Sequence, residues 1–159
     1  VEPSDAVMLQ KDYLDLLSGT EVETLSEYAY GVCEYLDGHG LDAEVAWTPP
    51  AESLTYHGHC HQKATKKDHH AVGVLRRAGY EVDPLDSTCC GMAGSFGYEA
   101  EHYSMSRAVA SLLFDQVDAS DGDVVVAPGA SCRTQLGDRD ARSEKPPHPV
   151  EKLAEALPR

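Results

Sequence analysis

Isoleucine and asparagine are absent from the 159 residues, lysine occurs only six times, phenylalanine twice and tryptophan once. Each shortage narrows the reading. No apolar run approaches the ~20 residues that a membrane-spanning helix needs. No charged stretch leads into an apolar one as in a secretory leader. Thirteen Lys plus Arg against 27 Asp plus Glu give a net charge of −14, and no basic stripe interleaved with aromatics relieves it, so nucleic acid is not an expected partner. The length suits one domain with a sizeable core.

What is abundant is acid, with valine and alanine supplying much of the apolar mass. Such a surface fits a salt-loving organism, where molar salt shortens the screening length to about 3 Å and the charges serve solubility. An acidic domain from an ordinary organism is the plainer alternative. The five cysteines, Cys33, Cys60, Cys89, Cys90 and Cys132, are odd in number, and two are adjacent. That pattern favours metal binding or catalysis in a reducing, cytoplasmic compartment over a disulfide framework.

The opening Val1-Glu-Pro-Ser reads like the tail of a strand, which suggests a piece of a longer polypeptide. Apolar spacing predicts helices over 8–17 and 23–36, the second with Leu25, Tyr28, Ala29, Val32, Cys33 and Leu36 on one stripe. Gly38 and Gly40 stop it, and 47–51 with its two prolines is a break. A strand follows at 53–57, a helix over 62–78 ended by Gly79, and a strand at 80–85. After the glycine-rich stretch 86–98 comes a helix over 99–117, with Met105, Val109, Leu112 and Leu113 sharing a face. The run Val124–Ala127 reads as a strand buried on both sides. A short helix begins near Ser131, a loop runs to Pro147, and His148-Pro149 opens a last helix.

Alternating strands and helices imply an α/β fold: an open, mostly parallel sheet flanked by helices, a Rossmann-like three-layer sandwich. Functional groups in such sheets collect at the carboxyl ends of the strands. Three successive strand ends would then deliver Cys60, the Cys89-Cys90 pair and Cys132 to one edge. Converging thiolates suit a soft metal, either tetrahedral zinc or an iron–sulfur cluster. The spacing C-x28-C-C-x41-C lacks the tight C-x-x-C knuckle of zinc fingers, which leans toward a cluster. Gly91, Gly94 and Gly97, at every third position, would let the loop wrap an inorganic core and aim N–H groups at its sulfurs. A phosphate cradle is a rival use of the same glycines.

His57, His59 and His61 alternate around Cys60, which on extended backbone puts three imidazoles on one face, as metal ligands or as hydrogen-bonding neighbours that tune the cluster. A Cys60–histidine nucleophile pair is a further alternative, without an orienting acid in view. Arg133 could offset the charge of a thiolate-bound cluster or form a surface ion pair. Cys33, within an apolar stripe, reads as a core thiol. His69, His70 and His102 read as solvated, and His148 as a local hydrogen-bonding group.

Four segments together, His57-Gly-His-Cys60-His-Gln-Lys, Cys89-Cys90-Gly-Met-Ala-Gly-Ser-Phe-Gly-Tyr98, Ala127-Pro-Gly-Ala-Ser-Cys132-Arg-Thr-Gln135 and His148-Pro, resemble the cysteine-rich CCG domain. That domain occurs in the cysteine-rich subunit of heterodisulfide reductase, in one subunit of anaerobic glycerol-3-phosphate dehydrogenase and in the iron–sulfur subunit of glycolate oxidase. The likeness is greatest to the version ending large FAD-linked dehydrogenases of the D-lactate and glycolate type. The resemblance implies a single CCG domain over 1–159, the second of two tandem repeats, with Cys60, Cys89, Cys90 and Cys132 as ligands of an iron–sulfur cluster or zinc. Gly129 stands where the family has the first cysteine of C-x-x-C. The remaining four thiolates suit a conventional 4Fe–4S cluster better than a five-cysteine one. Asp5 stands where relatives often carry a cysteine of the preceding repeat.

By the same resemblance, FAD belongs to the parent protein and not to this fragment, which is expected to be inactive alone. The implied partners are the flavin domain, the first CCG repeat, and a quinone or other acceptor. The expected location is cytoplasmic, or peripheral at the inner face of the membrane through partners. A zinc-stabilised docking module and a heterodisulfide-type thiol site are the alternatives.

Overall fold

The computed structural model describes residues 2–87, 89–139 and 144–158. Val1 and part of the loop expected before Pro147, at 140–143, lie outside the described residues, as does position 88 within the glycine-rich stretch. Three short strands form one parallel sheet: β1 (Ser53–Tyr56), β2 (Glu81–Pro84) and β3 (Val124–Val126). Their order is β2-β1-β3. Ser53 aligns with Glu81 on one edge of β1, and Leu54 with Val124 on the other.

Pleat alternation divides the apolar side chains between two layers of helices. On one face Leu54, Tyr56, Val82 and Val126 pack with Cys33 and Leu36 of α4 (Val32–His39), with Ala71, Val74 and Leu75 of α6 (His69–Arg77), and with Leu153 of α9 (Pro149–Glu155). On the other, Val125 and Ala127 meet Leu113 and Val117 of α7 (Tyr103–Ala119) and Leu136 of α8 (Ala130–Gly137). The crossover from β1 to β2 uses α5 (Cys60–Ala64) and α6, and the return from β2 to β3 uses α7 on the opposite face. The expected three-layer α/β architecture is therefore present, and chain progression reverses at β1. A crevice opens where that reversal occurs, beyond the carboxyl ends of the strands.

Several local expectations need correction. The opening is helical: Pro3 starts α1 (Pro3–Val7), and the Glu2 carboxylate accepts the Ser4 N–H at 2.7 Å. Proline at the first helical position is preorganised for this start. The helix passes through a π turn, Met8–Asp12, into α2 (Tyr13–Leu16). The helix expected over 23–36 is two, α3 (Thr20–Tyr28) and α4, separated by extended backbone at Ala29. Gln10 Nε2 holds the Ala29 carbonyl at 2.6 Å, and Glu34 Oε2 accepts the Gly31 N–H at 3.1 Å, so both broken ends are satisfied. The expected stripe is consequently not formed: Leu25 and Tyr28 are exposed, while Cys33 is buried.

The helix expected over 62–78 also divides, at Lys66, whose φ of 57° is left-handed. Lys67 beyond it reaches back to Glu34 at 2.6 Å and Gln10 at 2.8 Å, tying the two crossings together. In α7 the buried face is Ser106, Ala110, Leu113 and Val117, so of the expected set Met105 and Leu112 point to solvent. The small side chains at 106 and 110 let the glycine-rich stretch approach the helix closely. β3 is an edge strand in the described sheet, with Val124 and Val125 half-buried; β1 is the strand covered on both faces. Among the described residues, no helix is long and apolar enough to cross a membrane.

Leu54 is wholly buried in the central strand. Leu54→Ala is expected to lower stability by about 2–5 kcal/mol, read as a lower denaturation midpoint at an unchanged slope.

Candidate metal centre

Each strand ends by handing a cysteine to the crevice. After β1 the His57 N–H still bonds Val126 O at 2.9 Å, and the chain then leaves the sheet. His59 caps α5 by accepting the His61 N–H at 3.3 Å, and Cys60 is the first helical residue. After β2, Leu85 N–H bonds Tyr56 O at 2.9 Å before the segment reaches Cys89 and Cys90. After β3, Pro128 and Gly129 lead into α8, which carries Cys132 in its first turn. All four cysteines are free and line one cavity of about 390 Å³. His59, His61 and Gly94 also line it, and Ser4 of α1 closes one side. A larger depression, about 530 Å³ along edge strand β2, holds neither cysteine nor histidine, whereas the smaller cavity gathers both.

Backbone donors surround the sulfurs. Gly91 N–H donates to Cys89 Sγ at 3.3 Å, and the backbone N–H groups of Met92 and His61 act to lower the Cys90 and Cys60 thiols. Such donors favour sulfur carrying negative charge. Contact with Cys132 holds the Cys90 thiol well below the usual range, against the opposing pull of burial and with His57 and Met92 assisting. The same contact, burial and the neighbouring thiols push Cys132 up. Burial also raises Cys60, with Cys89 adding to it. Cys33 lies apart in the helical core, where burial and then Asp42 and Asp37 push its thiol up to about 12; it is the core thiol expected.

The three glycines do different things. Gly91 has φ +90°, and a Cβ there would meet Ser106 O at 2.2 Å; one at Gly97 would meet Ser106 Oγ at 2.5 Å. These two seat the loop on α7 instead of lining the cavity, and Gln135 of α8 secures the same serine, Nε2 to Oγ at 3.2 Å. Gly94 alone of the three lines the cavity, with φ +69° and open space around it.

The histidines do not share a face, because the extended backbone ends where α5 begins at Cys60. His57 is fully buried and turned to Ser87, Nδ1 to Oγ at 2.6 Å. His59 and His61 line the cavity with ring centroids 5.2 Å apart. The His59 ring fills the space beside Gly129: a Cβ at 129 would meet its Cδ2 at 2.4 Å. Burial lowers the His59 pKa, against the opposing pull of Glu2. Arg133 takes the ion-pair role, donating to Pro146 O at 2.6 Å and Glu151 Oε1 at 2.9 Å. His148 caps α9 by accepting the Val150 N–H at 3.1 Å. Of the histidines expected to be solvated only His69 is: His70 pairs with Asp37 at 2.6 Å, and His102 pairs with Glu99 at 2.9 Å and stacks on Phe96.

Two residues beside the site make contacts that the sequence does not reveal, although Lys63 closes the motif that begins at His57. Lys63 folds its ammonium under the cysteine arm, and the Glu2 carboxylate bridges the start of α1 to the Ala130 N–H of α8 at 3.2 Å. Neither spacing nor composition signals contacts made across the fold.

The donor set, four thiols with two imidazoles around one cavity, fits a soft metal, either zinc or an iron–sulfur cluster. Tetrahedral zinc with Zn–S near 2.3 Å would gather its sulfurs to about 3.8 Å from one another. Among the described residues no three of these thiols lie within 4.8 Å of one another; the triads that do are Asp37-His69-His70 and Glu99-Glu101-His102. Cys90 and Cys132 lie side by side, and Cys60 and Cys89 join them around the same cavity.

Comparison with known proteins agrees with this site. Residues 54–137 match the family described as the CCG cysteine-rich domain, a segment that contains all four cavity cysteines. The chain belongs to the CCG family. One subunit of the anaerobic glycerol-3-phosphate dehydrogenase of Escherichia coli K12 is 35% identical over 105 residues, covering 65% of this chain and 26% of that protein. The D-2-hydroxyglutarate dehydrogenase of the same strain is 28% identical over 120 residues, covering 74% of this chain and 12% of that protein. Its counterpart in Haemophilus influenzae is 33% identical over 85 residues, covering 53% and 8%. The CCG chain therefore spans only a small part of each relative's length. No solved structure matches it.

The glycines give a paired test. Gly94→Ala is expected to lose about 1–2 kcal/mol, the strain of the left-handed backbone alone. Gly91→Ala adds a clash with backbone, so it should be markedly less stable than Gly94→Ala and should alkylate faster at Cys89 and Cys90, as read by thermal unfolding and mass spectrometry.

Proposed function

We propose that Cys60, Cys89, Cys90 and Cys132 hold an iron–sulfur cluster of the 4Fe–4S type and that the domain carries electrons within an FAD-linked dehydrogenase. The observation that carries this reading is the arrival of four thiols from three strand ends around one cavity of about 390 Å³. When bound, the cluster supplies one-electron transfer. The chain's own residues prepare the place: backbone N–H groups of Gly91, Met92 and His61 receive negative charge on three sulfurs, and Lys63 sets a cation behind the Cys89-Cys90 arm. His59, kept neutral by burial, fills the side facing Gly129 without adding charge.

The parent substrate is an alcohol carbon on a small acid or phosphate, a 2-hydroxyacid of the D-lactate or glycolate kind or glycerol 3-phosphate. Relatives named for glycerol 3-phosphate and for D-2-hydroxyglutarate support that class. In this reading the domain is the second of two CCG repeats, takes electrons originating at flavin, and passes them toward a quinone or another acceptor. The parent works in the cytoplasm or at the inner membrane face through partners. The cysteine spacing, which lacks the tight C-x-x-C knuckle of zinc fingers, favours this reading over a zinc-stabilised docking module.

Anaerobic reconstitution with iron and sulfide in molar salt, followed by metal analysis and electron paramagnetic resonance, tests it. About four irons per chain with a reducible signal are expected, and Cys89→Ser should abolish or alter that signal. Zinc retained in preference to iron, with no redox signal, would overturn the proposal.

A further inference from the structure

Behind the Cys89-Cys90 arm a half-buried lysine, a buried serine and a buried histidine form a chain of polar groups whose proton positions follow from pairing donors with acceptors. The Lys63 ammonium has three protons and meets three acceptors: Leu85 O at 2.9 Å, Ser87 O at 2.5 Å and Ser87 Oγ at 3.2 Å. An ammonium accepts nothing, so the Ser87 hydroxyl oxygen is the acceptor in the last contact. The Ser87 side chain is buried, and its other contact is His57 Nδ1 at 2.6 Å. The hydroxyl oxygen has two lone pairs and could accept from both neighbours, but its own buried proton would then lack a partner among the described residues; the arrangement that satisfies every donor sends that proton to Nδ1.

A ring that accepts at Nδ1 carries its own proton on Nε2. His57 Nε2 is buried with no completed hydrogen bond. The Cys90 sulfur is the neighbouring group with which this ring interacts. Nε2–H is thus the ring donor left without an acceptor, and a Cys90 thiolate is the neighbour able to take it. Gly58 keeps the arrangement compact, since a Cβ there would meet Lys63 Cε at 2.9 Å.

We infer that Lys63 and Ser87 are positioning residues for the metal centre: they hold the Cys89-Cys90 arm in place and set His57 in the tautomer that presents Nε2–H to the Cys90 sulfur. The consequence for a bound cluster rests on the iron–sulfur reading above; the tautomer does not. A hydrogen bond to a ligand sulfur stabilises the reduced, more negative state, so losing it lowers the reduction potential.

The test has two arms. In metal-free, reduced, ¹⁵N-labelled chain, long-range proton–nitrogen correlation reads the His57 tautomer directly. Wild type should show the proton on Nε2, while Ser87→Ala should shift the ring toward a mixture of tautomers. Ser87→Ala leaves the two carbonyl contacts of Lys63 intact, so it keeps the test valid if Lys63→Met fails to fold. Lys63→Arg, which retains charge and donors, should retain the wild-type ring pattern. A proton on Nδ1 in wild type, or a pattern unmoved by Ser87→Ala, overturns the inference without any reference to a cluster.

In the reconstituted chain, Ser87→Ala should retain the iron content of wild type and show a lower potential in a redox titration followed by electron paramagnetic resonance. An unchanged potential despite a changed tautomer overturns the contact with Cys90. Failure of wild type to take up iron would instead contradict the proposed function, and the tautomer arm would still decide the positioning role.

Discussion

The hydrogen bonds that β1 makes on both of its edges, to β2 through Ser53–Tyr56 and to β3 through Leu54–Tyr56, fix where three loops leave the sheet. Because all three strands are parallel, all three loops leave from the same end. Because the order is β2-β1-β3, the crossing helices lie on opposite faces and leave a crevice between the exits. The thiols at 60, 89, 90 and 132 are far apart in the chain, and this register is what makes them neighbours. A shift of one residue in β1 would turn Leu54 and Tyr56 to the other helical layer and displace His57 and Cys60 with them.

Close backbone packing then tightens the site. The arm carrying Cys89 and Cys90 is pressed onto α7 at Ser106 through Gly91 and Gly97, and Gln135 holds the same serine from α8. From the other side Lys63 binds the carbonyls of Leu85 and Ser87. Drawing this half-buried ammonium partly out of water is tolerable because each proton has an acceptor. The N-terminal helix completes the wall, with Glu2 linking Ser4, Ala130 and the vicinity of His59. Rigidity of this kind matters for a redox centre, whose neighbours must change little as its charge changes.

The convergence of the cysteines was legible in the sequence because strand ends in a parallel α/β order have a common destination, and the motif around Cys89-Cys90 is specific. Helix boundaries were less so. The divisions at Ala29 and Lys66 arise from Gln10, Glu34 and Lys67, which are distant in sequence and become neighbours only after folding. The buried face of α7 differs from the expected one because hydrophobic periodicity weights Met105 and Leu112, whereas the packing needs small residues beneath the glycine loop. The roles of His57 and Lys63 were hidden for a related reason: alternation describes extended backbone, and the chain turns helical at Cys60. Arg133, adjacent to a cavity cysteine, was open to two readings that only the position of Glu151 could separate.

The central claim is that one cavity holds a polynuclear centre on four thiolates delivered by three strand ends. X-ray absorption at the iron edge of the anaerobically reconstituted chain tests it most directly. Sulfur is expected as the first neighbour of iron, together with a second shell from iron–iron scattering that is disrupted in Cys132→Ser. A single mononuclear site with four sulfur neighbours and no metal–metal scattering would contradict it.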